Sequence, residues 1–498
     1  MLRPMLMKSF SSFRGRCVRH LGTAVLCVVL LGSSQTSFAA SAGRQDAVAR
    51  QPVYTGQRSA ETADRPVAGK SIGMSDAVEH ALRFNPGLGA QEAESRSSEE
   101  GRKSARGAFG PRLGVSYSAT KTESKRDPSA TMGTKNPKMG VYSWGVEVTQ
   151  PIFQGFRLLS TYQKAALQAD SDKASLRKAE LDMTEQVQTA FLEYLKAGEN
   201  TRSMRDSLTR LREQLRIAQA YFEVGLSPRL DVLQAEVDVS EAESLLIEAE
   251  NTQATALARL NTLLGFDATA VNTYTGTLKE VGFRHTLEQC LELAYRQRPD
   301  LYVAQKAVEI ARKSQKEVQS DYYPRIEGYY SMTQSGNTPG MQRSGENGSH
   351  VTNWEVGAQA TWNVFEWGTT YYADKQAGWQ VTRMRYEQEN LKLEVGYDIK
   401  SKYLAVQEAR KRIAVARNSV AQATEAYNVA LARYHEHVGT NFDVLDASAN
   451  LTSAQSSLTG AKADYLTALS QIYVAMGEYH PDLLEGGAAR RKQTVPYE

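Results

Sequence analysis

Asp231-Val-Leu-Gln-Ala235 returns 212 residues later as Asp443-Val-Leu-Asp-Ala447, and each block opens a run with a seven-residue period. The first run continues through Ala242, Ala249 and Ala256, interleaved with Val239, Leu246, Gln253 and Leu260. The second continues through Ala454, Ala461 and Ala468, interleaved with Leu451, Leu458, Tyr465 and Ile472. Spacings that alternate four and three over four heptads mark a coiled-coil seam. Alanine at every other seam position lets the paired helices approach closely. The partner for each run lies just upstream. Residues 157–224 and 369–436 hold no proline, and at 1.5 Å per residue each would make a helix of about 100 Å. Turns at Gly225-Leu-Ser-Pro228 and around Val438-Gly439 then fold the shorter helix back antiparallel.

Upstream of each long helix the period changes from helical to two. Along 325–333, Ile326, Tyr330 and Met332 fall on one face, and Arg325, Glu327, Ser331 and Thr333 on the other. Val356, Ala358, Ala360, Trp362 and Val364 alternate likewise against Glu355, Gln359, Thr361 and Asn363. The first half repeats the pattern with Leu113, Val115 and Tyr117, and with Val146, Val148 and Ile152 against Glu147 and Thr149. Polar loops at Lys121–Met139 and Gln334–Thr352 separate the paired runs, giving two hairpins with long tips. The runs have the length of a tilted membrane-spanning strand, about 10 residues. Tyr142, Trp144, Trp354, Trp362, Trp367, Tyr371 and Tyr372 cluster near strand ends, where an aromatic girdle would sit. Alternation alone also fits an ordinary half-buried antiparallel sheet.

Further upstream, Met74-Ser-Asp-Ala-Val-Glu-His-Ala-Leu-Arg-Phe-Asn-Pro86 answers Leu287-Glu-Gln-Cys-Leu-Glu-Leu-Ala-Tyr-Arg-Gln-Arg-Pro299. Pro111 answers Pro324, Phe153 answers Phe365, and Gly265 and Gly477 close the two copies. The chain is therefore one α+β fold written twice, with a first repeat over 71–283 and a second over 284–477. The hairpins are expected at about 112–153 and 325–365, the helical hairpins at about 157–264 and 369–476. Residues 1–39 read as a secretory signal, with Lys8, Arg14, Arg16 and Arg19 before the apolar run Leu21–Leu31. Without that segment the formal charge falls from +3 to about −2, and nothing points to nucleic acid. Residues 40–70 and 478–498 lack any period and read as flexible ends. Cys290 is the one cysteine outside the signal, so no disulfide framework exists.

Four strands cannot close a barrel, since single-chain membrane barrels begin at about eight. An open edge in lipid leaves backbone groups unpaired at several kcal/mol each. Strands in a bilayer would therefore require several chains to share one barrel. In these features the chain resembles the TolC family of outer-membrane efflux and secretion channels. The resemblance runs from Ser71 to Gly477 and rests on the duplicated short helix plus proline, the strand entry at Pro324 and Gln150-Pro-Ile-Phe153. The Val224-Gly-Leu226 turn and the Asp-Val-Leu-x-Ala blocks complete it.

The resemblance implies a homotrimer in the outer membrane, with a shared barrel continuous with a helical periplasmic tunnel. It implies a passive exit duct whose helix turns, Val224, Gly225, Leu226, Val438 and Gly439, meet a periplasmic adaptor (membrane fusion) protein. That adaptor would join an inner-membrane RND or ABC transporter. It also assigns the constriction to Asp443 and Asp446, and a closing link to Tyr434 and Asp231. An arginine common in that link falls on Gly439, and a turn glycine on His437. Asp231 reads equally well as a helix-start residue, where acidic side chains gain about 0.3–1 kcal/mol from the dipole; for Asp443 with Asp446 the same alternative exists, but the gating reading is preferred. The chain has no HExxH, G-x-S-x-G or complete phosphate loop, so no catalytic residue, metal or cofactor is expected. The competing reading is a structural coiled-coil protein of the periplasm, extractable without detergent.

Overall fold

The computed structural model describes residues 71–123, 138–337 and 350–479. The expected signal, the 40–70 segment, most of both hairpin tips and the tail beyond Tyr479 lie outside them. Each repeat lays down two helices, two strands and a long helical hairpin. The first holds α1 (Met74–Phe84), α2 (Pro86–Gly107), β1 (Arg112–Glu123), β2 (Lys138–Gln154), α3 (Arg157–Glu223) and α4 (Arg229–Leu264). The second holds α5 (Leu287–Gln297), α6 (Pro299–Gln319), β3 (Arg325–Gly336), β4 (His350–Thr361), α7 (Thr369–His435) and α8 (Asn441–Ala475). No described helix is long and apolar enough to cross a membrane.

The helix boundaries follow local chemistry. Asn85 ends α1 and caps α2, its Oδ1 accepting from the backbone N–H of Gly87 and Leu88, while Pro86 fills the first turn. Its Nδ2 donates to the Leu263 carbonyl at 2.8 Å, tying the start of α2 to the end of α4. Thr286 and Gln289 form a capping box at α5. Gly265 and Gly477 follow α4 and α8 with φ of 79° and 83°. A Cβ there would stand 2.9 Å from the carbonyl oxygens of Phe84 and Gln297, so both closures require glycine.

The seam read from the alanine heptads is where the hairpins pack. Ala235, Ala242 and Ala249 are buried in α4, and Ala447, Ala454, Ala461 and Ala468 in α8, with Leu451, Tyr465 and Ile472 beside the latter. The main core joins α5, α7 and α8 through Cys290, Ile399, Ile413, Leu469 and Met476. A second core joins α1, α3 and α4 through Ala77, Val187, Phe191, Leu260 and Leu264. Glu478 and Tyr479 extend this packing rather than joining the flexible tail expected from 478. The Glu478 N–H donates to Tyr473, and the Arg177 guanidinium lies 4.7 Å over the Tyr479 ring.

The strands form one antiparallel sheet in the order β1-β2-β3-β4. Its register sorts side chains by polarity. Leu113↔Val148, Val115↔Val146, Val146↔Met332, Val148↔Tyr330 and Tyr330↔Val356 lie on one face. Ser116, Glu147, Glu327, Ser331, Glu355 and Gln359 lie on the other, where the Tyr329 hydroxyl meets the Glu355 carboxylate. Two details differ from the sequence reading. A bulge between Pro151 and Phe153 takes Ile152 out of the alternation. Strand β4 ends at Thr361, short of Phe365, because β3 offers no partner beyond Arg325↔Thr361. Trp362 lies past the strand, its indole N–H donating to the Tyr322 carbonyl at 3.1 Å.

The two faces should respond differently to charge. Ala358→Arg places a guanidinium on the apolar face and should cost about 2–4 kcal/mol near mid-bilayer, whereas Gln359→Arg should cost far less. Equal loss of folded protein from outer membranes in the two variants would refute the face assignment.

Candidate functional site: the helix turns and the start of α8

At the end of α3, Gly225 takes a left-handed φ of 74°. The N–H groups of Leu226 and Ser227 then both donate to the Tyr221 carbonyl, at 2.8 and 3.3 Å. This closes the helix as a glycine C-terminal motif does. At the end of α7 the same bonds recur, with Val438 and Gly439 donating to the Arg433 carbonyl at 2.9 and 3.0 Å. Here the left-handed residue is His437, at φ 59°. An L-residue pays about 1–2 kcal/mol in that conformation. The His437 ring lies 5.0 Å from Tyr221, a contact that offsets part of the strain. Val224, Leu226 and Val438 stand exposed on these turns, which gives each tip an apolar knob between polar flanks.

The turns meet at an aromatic cluster. Tyr434 is buried, with its ring 5.5 Å from that of Tyr221, and its hydroxyl has no hydrogen-bond partner. Burial pushes the Tyr434 phenol up to about 12, and the nearby charges of Asp231 and Tyr221 push the same way. Asp231 therefore stands close enough to act on Tyr434 electrostatically, without the hydrogen bond that a closing link would need. Partial burial also raises the Asp231 carboxyl.

Asn441, which sequence reasoning missed, ties the turns together. It is buried at the first position of α8. Its Oδ1 accepts from Gln214 Nε2 of α3 at 2.6 Å, and its Nδ2 donates to the Asp231 carbonyl of α4 at 3.1 Å. One amide thus joins three helices. The repeat held the available signal, because the first copy has Arg229 at this position.

Asp443 and Asp446 lie on one exposed flank of α8. Asp443 completes a capping box, with its N–H donating to Thr440 Oγ1 at 3.2 Å and its Oδ2 accepting from the Thr440 N–H at 3.0 Å. Those bonds, helped by the Arg433 charge, hold its carboxyl below the usual range. Within one chain Asp443 is a helix-start residue, and any like-charge crowding must act against this lowering. Asp446 accepts from Asn450 Nδ2 at 3.0 Å and takes no part in the cap. It also lines a groove of about 690 Å³ among α3, α4 and α8, floored by Leu230, Leu233, Val237, Phe442 and Leu445. Among the described residues no cluster of three or more His, Cys, Asp or Glu is placed to hold a metal ion.

Comparison with known proteins supplies context for this arrangement. The outer membrane efflux protein family matches residues 77–266 and 290–478, one segment in each repeat. The alkaline protease secretion protein AprF of Pseudomonas aeruginosa is 25% identical over 415 residues, covering 81% of this chain and 84% of that protein. The outer membrane efflux protein BepC of Brucella suis is 23% identical over 424 residues, covering 85% and 89%. Among solved structures, the outer membrane protein VceC of Vibrio cholerae superposes with a TM-score of 0.69 at 16% identity, over 82% of this chain and 96% of that one. The Campylobacter jejuni CmeC outer membrane channel superposes with a TM-score of 0.69 at 18% identity, over 81% and 85%.

The turn chemistry predicts two stability effects. His437→Gly should stabilise the fold by up to about 1–2 kcal/mol less the lost Tyr221 contact, because glycine adopts the left-handed conformation freely, and thermal melts should show a higher unfolding temperature. Tyr434→Phe should leave neutral-pH stability nearly unchanged, since no hydrogen bond is lost. A tyrosine held at about 12 against an unfolded value near 10 favours its neutral form in the fold. Stability should therefore decline as pH rises from about 10 toward 12, and Tyr434→Phe should flatten that decline in alkaline melts.

Proposed function

The chain belongs to the outer membrane efflux protein family, and on that premise we propose that it is the exit duct of a tripartite machine, carrying cargo outward without chemical change. It is an outer-membrane channel with a large periplasmic portion, built as a trimer that shares one barrel. Members of the family are channels. The finer reading is that an RND-type or ABC-type inner-membrane transporter loads the duct through a periplasmic adaptor. One observation supports it most directly: a sheet with one apolar and one polar face leads straight into 67-residue helices with exposed apolar turns at their far ends.

That geometry supports specific roles for individual residues. Val224, Gly225, Leu226, Val438 and Gly439 form the adaptor-docking turns, in which Val224, Leu226 and Val438 present exposed apolar side chains at the helix ends far from the sheet. Asp443 and Asp446 form the constriction, because threefold symmetry would gather their carboxylates around one axis. Such a ring concentrates cations and repels anions. Asp231 and Tyr434 act beside it by setting the packing of the two turns, through burial and charge rather than a direct hydrogen bond. The names of the relatives cover both protease secretion and efflux, and the duct reading accommodates either.

Two experiments test this assignment. Gly225→Glu should abolish export while leaving trimer in the membrane, and Gly225→Asn, which tolerates the left-handed conformation, should retain export. Normal export by Gly225→Glu would remove the turns from the docking surface. In planar bilayers Asp446→Asn should weaken cation preference without touching the cap, and Asp443→Ala with Asp446→Ala should weaken it further. Unchanged selectivity in the double variant would leave Asp443 as a capping residue alone.

A further inference from the structure

Where the helices meet the sheet, α3 and α6 form a groove of about 560 Å³ that the duct reading does not use. Tyr162, Ala166 and Asp170 of α3 line one wall, and Arg312, Lys313 and Lys316 of α6 line the other. Helix α3 begins three residues after β2 ends, and Tyr162 and Asp170 lie about 8 and 20 Å along it. Lys316 stands nine residues before the first residue of β3. The groove therefore sits in the first layer beyond the sheet.

The cations of this groove are not consumed by the ion pairs around it. Lys164 is held by Glu317 at 2.6 Å, and Lys306 by Glu309 at 3.3 Å. Arg312, Lys313 and Lys316 form no ion pair with any described residue. Asp170 and Glu309 are the acidic residues of the lining, and Glu309 is already committed to Lys306. The internal repeat shows that the excess belongs to this site. Pro86 answers Pro299, and at the same offset Glu99 and Glu100 of α2 answer Arg312 and Lys313. Glu99 pairs with Arg102 and Lys173, and Glu100 with Lys103. The first repeat is thus neutralised where the second holds free positive charge.

Helical spacing sets the side on which the groove opens. Ala166 and Asp170 precede Arg177 by eleven and seven residues, close to three and two turns. The Arg177 guanidinium donates to the Tyr479 hydroxyl at 2.6 Å. Helix α1 packs on α3 further along the same line, against Phe191, fourteen residues beyond Arg177. Bulk packed there makes this the outer side of a duct whose bore stays open. Leu159 stands two turns nearer the sheet than Ala166 and is exposed. Moving away from the sheet, this side presents an apolar side chain, then Tyr162, then the cations across the groove. A bilayer leaflet passes from hydrocarbon to interface to charged headgroups in the same order, with tyrosine favoured at the interface and long cationic side chains reaching the headgroups.

We propose that this groove binds the phosphate of an anionic glycerophospholipid in the periplasmic leaflet of the outer membrane. Arg312, Lys313 and Lys316 hold the phosphate, Tyr162 faces the glycerol, and Leu159 meets the start of an acyl chain. The proposal rests on the outer-membrane location of the preceding section and adds a lipid site to the outer wall. Each cation beside an anionic leaflet strengthens binding severalfold, and three act here against Asp170 alone. Inorganic phosphate shares the charge but lacks the chain that Leu159 meets, so the lipid is the tighter ligand.

Native mass spectrometry of the full chain, delipidated in detergent and titrated with phosphatidylglycerol, tests the site. Retention of phosphatidylglycerol should exceed that of phosphatidylcholine by about tenfold. Arg312→Gln with Lys313→Gln and Lys316→Gln should lower it by about tenfold. Lys400→Gln with Lys411→Gln and Lys462→Gln, an equal loss of charge far from the sheet, should leave it unchanged. Lys316→Gln alone should give an intermediate loss, so misfolding of the triple variant leaves the test decisive. Full retention by the groove variants, or equal loss in the distant one, overturns the site and leaves the outer-membrane channel standing. Inorganic phosphate that displaces the lipid at equal concentration overturns the lipid assignment in favour of a free-anion site. An unsubstituted chain recovered from cells without detergent overturns the outer-membrane reading, and the lipid site with it.

Discussion

Backbone groups on the edge of a sheet must find partners, and in a bilayer water does not supply them. Each unpaired N–H or C=O in hydrocarbon costs several kcal/mol. Strands β1 and β4 are the two edges of this sheet, and no described strand of the chain reaches either free side. A single copy is therefore an incomplete object, and closure by further copies becomes a condition of membrane residence. The uncovered sides of α2, α4 and α7 express the same incompleteness in the helical layer. The internal repeat makes both gaps commensurate, because a neighbouring first repeat can stand to the second as the second stands to the first.

The two repeats have diverged where the helices turn. Helix α8 starts with a capping box and a buried Asn441, while α4 starts after Pro228 with no side-chain cap. The α3 turn uses Gly225 without strain, and the α7 turn forces His437 into a left-handed conformation beside Tyr221. Acidic residues at 231 and 443 occupy equal positions in sequence but unequal ones in space. Burial raises the Asp231 carboxyl, and bonds to Thr440 lower that of Asp443. Duplication thus produced two hairpins of one design with different local stability at the tips.

Sequence periodicity made the large features legible. Alanine heptads named the seam, alternation named the strands, and an offset of 212 residues named the repeat, because each property recurs over many residues. Features set by one contact were not legible. The end of β4 depends on where β3 stops, the bulge at Ile152 on how Pro151 meets Glu327, and Asn441 on two helices distant in sequence. The Tyr434–Asp231 pair was located by resemblance, yet its lack of a hydrogen bond belongs to packing that spacing does not encode.

Hydrogen exchange at the backbone of 362–366 in detergent-solubilised trimer tests the central claim most directly. These residues lie in no strand of the isolated chain, so only pairing with another copy would slow their amides. The account predicts protection comparable to that of the Gln150, Phe153 and Gln154 amides at the end of β2. Exchange as fast as in exposed loops, within an intact trimer, would show that the second copy does not complete this strand.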